Sequence, residues 1–153
     1  MGEVVRNWFP EVIPTASIPR PLGYVIPAKY SEVVEALLRQ GVAVGMFIQD
    51  ETIEIEASEV KEVVPAPAEY LAHVKIVIER KPIAAAVREG DFYVSCGQAA
   101  AEPVPCLLEP ESEYGLIRYW KFALVPQAGS VFAFFRVVKP QTLLLVPYKP
   151  WPR

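Results

Sequence analysis

Only one stretch of the 153-residue chain repeats its apolar residues with the period of a helix. Val33, Val34, Leu37 and Leu38 recur at three- and four-residue spacing and so share one helix face. Ser31 stands where an N-cap belongs, and Glu32 and Glu35 in the first turn suit the positive end of the helix dipole. Arg39 suits the last turn, and Gly41 can adopt the left-handed conformation that ends a helix. The pattern predicts one main helix over about residues 31–40. With a single good helix, the remaining apolar residues must be buried in a sheet.

Gly23-Tyr24-Val25-Ile26 is a short apolar strand stopped by Pro27, and Val42 to Ile48 reads as a buried strand. Together with the helix they make a βαβ-like unit, right-handed if its strands are parallel. From Glu51 the alternation is strict. Ile53, Ile55 and Ala57 face one way, and Thr52, Glu54 and Glu56 face the other, as on a half-exposed strand. Glu54, Glu56, Glu59 and Glu62 then form a solvated face rather than a metal site. Pro65 and Pro67 mark a loop. Residues 72–80 alternate again until Arg80-Lys81-Pro82, which is expected to break the strand, with 83–87 extended or a short helical turn. Val131 to Val138 and Leu143 to Val146 are strand candidates separated by Pro140.

These elements predict an α+β fold: a single domain over 23–147 with a mixed, mostly-β sheet, the helix packed on one face, and a possible short second helix over about 105–109. Residues 1–22, with Pro10, Pro14, Pro19 and Pro21, read as an extended arm packing through Trp8, Phe9, Val12 and Ile13, or equally as an ordinary linker remnant. Residues 148–153 read as an irregular tail.

Composition removes several function classes. Hydrophobic residues make up 52% and charged residues 22%, a core-forming balance. The net charge is -3 with Lys and Arg scattered, so no basic stripe is present to bind nucleic acid. No apolar run reaches the ~20 residues of a membrane span. The N-terminus shows no basic start followed by an apolar run, hence no visible signal peptide, and the compartment stays open. Cys96 and Cys106 are read as buried thiols, with pairing across a short loop as the alternative. His73 is the only histidine, so no His-x-x-Glu zinc motif can be built. Nucleophile-elbow, phosphate-loop and dinucleotide motifs are missing too, and no cofactor or metal is expected.

Against this background one stretch stands out, Gly90 to Trp120. It holds a short strand (Phe92-Tyr93-Val94), a polar corner (Ser95 to Gln98), and Leu107-Leu108-Glu109-Pro110-Glu111-Ser112 before an aromatic run from Tyr114 to Trp120. Gln98, Glu109, Glu111, Ser112 and His73 are the candidate binding residues. Paired carboxylates can do acid–base work if burial raises one pKa. They can equally hold the turn that Pro110 imposes, with Ser112 capping the segment after it. His73 reads first as a satisfied histidine on a strand edge. Of the aromatics, Phe132 and Phe134 should share a strand face opposite Phe135, and most should be core.

Two segments also resemble a known family. Arg20-Pro21-Leu22-Gly23-Tyr24-Val25-Ile26-Pro27-Ala28 followed by Leu37 to Val42, and then Gly90, Phe92 to Val94, Gln98 and Leu107 to Ser112, occur in the same order downstream of the catalytic domain in bacterial zinc carboxypeptidase-like proteins, the metallocarboxypeptidase family. The zinc ligands and the upstream catalytic domain have no counterpart here, so no catalytic residue carries over. Pro103 and Pro105 stand where relatives continue a helix, which should then begin near Pro105. The resemblance implies a non-catalytic accessory or interaction domain, with a parent chain's catalytic domain or a second copy as partner. A small-ligand or peptide-binding module around Gln98, Glu109, Glu111 and Ser112 is the alternative, and an independent carboxylate-pair enzyme is a third.

Overall fold

The computed structural model describes residues 13–14, 17–65 and 75–149. Most of the predicted arm, His73 and residues 150–153 of the tail lie outside the described residues. Ile13, expected to pack on the domain, is 73% exposed.

The chain is α+β. Among the described residues, seven strands form one sheet: β1 (Gly23–Ile26), β2 (Gly45–Phe47), β3 (Glu51–Val64), β4 (Lys75–Val87), β5 (Phe92–Ser95), β6 (Phe135–Val137) and β7 (Leu145–Pro147). Helix α1 spans Ser31–Arg39, and a short α2 spans Pro103–Leu108. The spatial order is β4-β3-β6-β1-β5-β2-β7. Every described pairing is antiparallel, in place of the mixed sheet expected. The βαβ reading explains the difference. β1 and β2 do run the same way, but β5 inserts between them and pairs antiparallel with both. The close approach of Gly23 to Tyr93 serves this pairing, since a Cβ on Gly23 would sit 2.3 Å from the Tyr93 hydroxyl oxygen.

Helix α1 forms where its periodicity places it and buries Val33, Val34 and Leu37. Its start differs from expectation. A 3-10 turn over Ala28–Tyr30 runs into it, so Ser31 already has helical dihedrals and makes no side-chain cap. Its end is the predicted one. Gly41 has φ +80°, the Val42 N–H donates to the Leu37 carbonyl and the Gly41 N–H to that of Leu38.

The long β3–β4 hairpin runs straight through Arg80-Lys81-Pro82, where a break was expected. The reason is position. β4 is the outermost strand, and proline is tolerated where its missing N–H would have pointed away from the ladder. Elsewhere the apolar runs exceed the strands they contain: of Val131 to Val138 only Phe135–Val137 is strand, with an isolated bridge at Val131.

Apolar residues pack on both sheet faces. Tyr24, Ile26, Phe92, Val94, Phe132 and Phe134 meet α1 and α2 on one. Val25, Phe47, Ile53, Ile55, Val87 and Val137 form a smaller cluster on the other, against Phe135. Phe132 and Phe134 therefore do oppose Phe135. The sheet curls around the second cluster. Gln141 accepts from the Glu54 N–H (3.0 Å) and donates to its carbonyl (2.7 Å), and the Leu144 N–H donates to Glu51 (3.0 Å), bringing the chain back along β3 before β7 joins β2.

Candidate functional site

The acidic turn is built by its proline. Pro110 disfavours helix at the preceding residue, and Glu109 leaves α2 in an extended conformation. The Ser112 N–H donates to the Glu109 carbonyl (3.2 Å), closing a β-turn with proline in its second position. Gly115 lets the next loop close over it, since a Cβ there would lie 3.1 Å from the Glu109 carbonyl oxygen.

This turn drives the Glu109 side chain into the core, where it is 4% exposed. The Tyr24 hydroxyl donates to Oε1 at 2.6 Å, and Arg136 Nε lies 3.0 Å from the same oxygen. Arg80 Nη2 donates to Oε2 at 3.2 Å and to Glu111 at 2.7 Å. Arg136, 3% exposed, also donates to Glu56 and to the Pro19 carbonyl. Arg80 Nε stands 4.0 Å from Glu56. The Nε–H groups of Arg80 and Arg136 make no aligned hydrogen bond, so the 3.0 Å approach of Arg136 to Glu109 acts as a charge contact. Three carboxylates thus enclose two guanidiniums, with a tyrosine as a further donor.

Electrostatics fix the protonation roles. Burial, reinforced by the Glu109 charge, pushes the Tyr24 hydroxyl far above its ordinary 10.0, so it stays a donor. Burial works against the charge on Arg80, but Glu111 and Glu109 outweigh it and hold Arg80 cationic. Removing one partner of such a buried set leaves an uncompensated charge, at a cost of about 3–5 kcal/mol.

The other predicted residues lie apart from this centre. Gln98 clamps the loop between α1 and β2, accepting from the Ala43 N–H (2.7 Å) and donating to the carbonyls of Ala43 (2.9 Å) and Ser95 (3.0 Å). Ser112 Oγ accepts from the Tyr114 N–H (3.2 Å), the local capping expected of it. Glu109 and Glu111 meet on Arg80, but Gln98 shares no partner with them. Cys96 and Cys106 are both free; Cys96 is half-buried, while Cys106 is exposed rather than buried. Among the described residues, no group of three His, Cys, Asp or Glu is placed to hold a metal ion.

Two clefts open elsewhere. One of about 190 Å³ is lined by residues including Glu54, Pro82, Ile83 and Val138. A larger, shallow one of about 490 Å³ lies between the start of α1 and Lys121 to Ala123. Neither is lined by Gln98, Glu109, Glu111 or Ser112.

Tyr24, Glu56, Arg80 and Arg136 are the members of the network that sequence reasoning missed. Arg136 carried a readable signal, an arginine inside the apolar run Val131 to Val138. Glu56 departs from the solvated face assigned to it: its side chain is 23% exposed, against 67% for Glu54.

No family model, no curated protein and no solved structure matches this chain.

Proposed function

We propose that this chain is a non-catalytic accessory domain of a zinc carboxypeptidase-like protein that supports or assembles with a catalytic domain. The observation that carries this reading is the use made of the acidic turn. Leu107 to Ser112 is the most distinctive segment of the resemblance, and both Glu109 oxygens are occupied by protein donors inside the core. A general acid or base must reach its substrate, whereas this carboxylate joins β1, β4 and β6. The ligand-binding alternative is weaker, because Gln98 and Ser112 are spent on neighbouring backbone groups and the two clefts open away from them.

An accessory domain needs a surface to present. Tyr114, Tyr119 and Trp120 directly follow the acidic turn and are 75%, 56% and 82% exposed. Aromatics of this kind are enriched at interfaces and anchor them. The test is binding of the full chain to a zinc carboxypeptidase-like catalytic domain, with zinc content and peptidase activity measured on the chain alone. Saturable binding that Trp120→Ala weakens by about 2 kcal/mol is the expected result. Stoichiometric tightly bound zinc with peptidase turnover in this chain would overturn it.

A further inference from the structure

We propose that β4 is a self-pairing edge through which two copies of this chain join their sheets about a two-fold axis centred on Arg80. β4 is the outermost strand of the sheet, and among the described residues no backbone group pairs with its outer side. Which groups face outward follows from β3. Ser58 and Val60 turn their backbone groups away from β4, toward Phe132 and toward Gly129 and Ser130. Direction alternates along an antiparallel ladder. Ile78 and Arg80, opposite Val60 and Ser58, therefore aim their N–H and C=O groups at the free edge, as do Pro82 and Ala84. Pro82 offers only its carbonyl, and that carbonyl is opposite an Ile78 N–H when the axis passes through Arg80.

In this register the exposed side chains are complementary. Val77 and Ile83, 37% and 43% exposed, come opposite each other across the axis. Glu79 of each copy meets Lys81 of the other, and these side chains are 54% and 49% exposed. The two Arg80 residues that meet on the axis are each held by Glu109 and Glu111 of their own chain. Other centres fail. An axis through residue 79 sets Glu79 on itself, and one through 81 sets Lys81 on itself. Position 82 puts two prolines face to face, 78 sets Lys75 against Lys81, and 84 sets Arg80 against Arg88. Like charges directly opposite are destabilising, so among centres 78 to 82 Arg80 is the one that satisfies both charge and hydrogen bonding. A self-complementary patch closes as a two-fold dimer and covers the β4 edge of both copies.

The test is sedimentation equilibrium of the full chain. The mass should rise with concentration from the 17.1 kDa monomer toward twice that value. Glu79→Lys and Lys81→Glu should each raise the dissociation constant about tenfold, by placing like charges across the axis. Mixing those two variants should restore association as a heterodimer. Glu79→Gln and Lys81→Gln, which also remove the attraction, serve if a charge-reversed variant fails to fold. Wild-type protein that stays monomeric at its highest soluble concentration would overturn the proposal, as would a mixture that fails to associate. Trp120→Ala separates this edge from the accessory surface: self-association that Trp120→Ala abolishes and the β4 variants do not would also overturn it.

Discussion

The β3–β4 hairpin carries an ion-pair cluster of each kind. In one, Glu56 and Arg80 meet Glu109, Glu111 and Arg136, with Glu109 and Arg136 almost fully buried. In the other, Glu59, Lys61, Glu79 and Lys81 pair at 2.7–3.9 Å in the open. The short distances are alike, but the consequences differ. Solvent screens the exposed pairs, whose breaking costs little. The buried set was desolvated on folding, so each member depends on the others to offset that cost. The buried cluster therefore determines whether β1, β4, β6 and the acidic turn can close together, while the exposed one is free to face a second molecule.

This contrast can be broken at several points. The largest effect should come from Arg136→Ala, which takes the buried guanidinium away from both Glu109 and Glu56. A loss of about 3–5 kcal/mol in urea denaturation is expected, and a loss under about 1 kcal/mol would mean that water already reaches the cluster. Next comes Tyr24→Phe, which removes one donor from a charged acceptor and should cost about 1.5–3 kcal/mol.

Tyr24 also predicts a pH dependence. Its hydroxyl pKa is raised on folding above the ordinary 10.0. The resulting stability is complete below pH 10 and is lost as the pH rises, because the unfolded chain then releases a proton that the folded chain keeps. Alkaline unfolding followed by circular dichroism should begin above that value, and Tyr24→Phe should flatten this limb of the curve.

A smaller effect, about 1 kcal/mol, is expected for Gln98→Ala, which releases the Ala43 backbone at a half-exposed site. The smallest belongs to the exposed cluster. Hydrogen bonds from Lys61 and Lys81 lower the Glu59 pKa to about 2. Its contribution is present above the ordinary 4.5 and disappears as the pH falls toward 2. Proton titration by NMR should show a pKa below the ordinary 4.5, and Glu59→Gln should lower the unfolding midpoint at neutral pH only slightly, because solvent screens these exposed pairs.

What the sequence made legible was local. The α1 periodicity, the Gly41 cap and the alternation over Ile53, Ile55 and Ala57 each depend on residues a few positions apart, and each appears in the fold. Long-range facts were not legible. Pro82 reads as a breaker until β4 is known to be an edge. Glu109 reads as a possible site residue because its partners are distant in sequence: Tyr24 is 85 positions away and Arg80 is 29. The corner reading of Gln98 and the capping reading of Ser112 were within reach, since their partners include nearby backbone groups.

The most direct test of the central claim is the unfolding midpoint of Glu109→Gln, set beside Glu111→Gln. The amide removes the buried negative charge and leaves Arg136 and Arg80 short of a counter-ion. A loss of about 3 kcal/mol is predicted for Glu109→Gln, and a clearly smaller one for the half-exposed Glu111. An unchanged midpoint for Glu109→Gln, together with the loss of some measurable turnover, would contradict the account and make the acidic turn a working site.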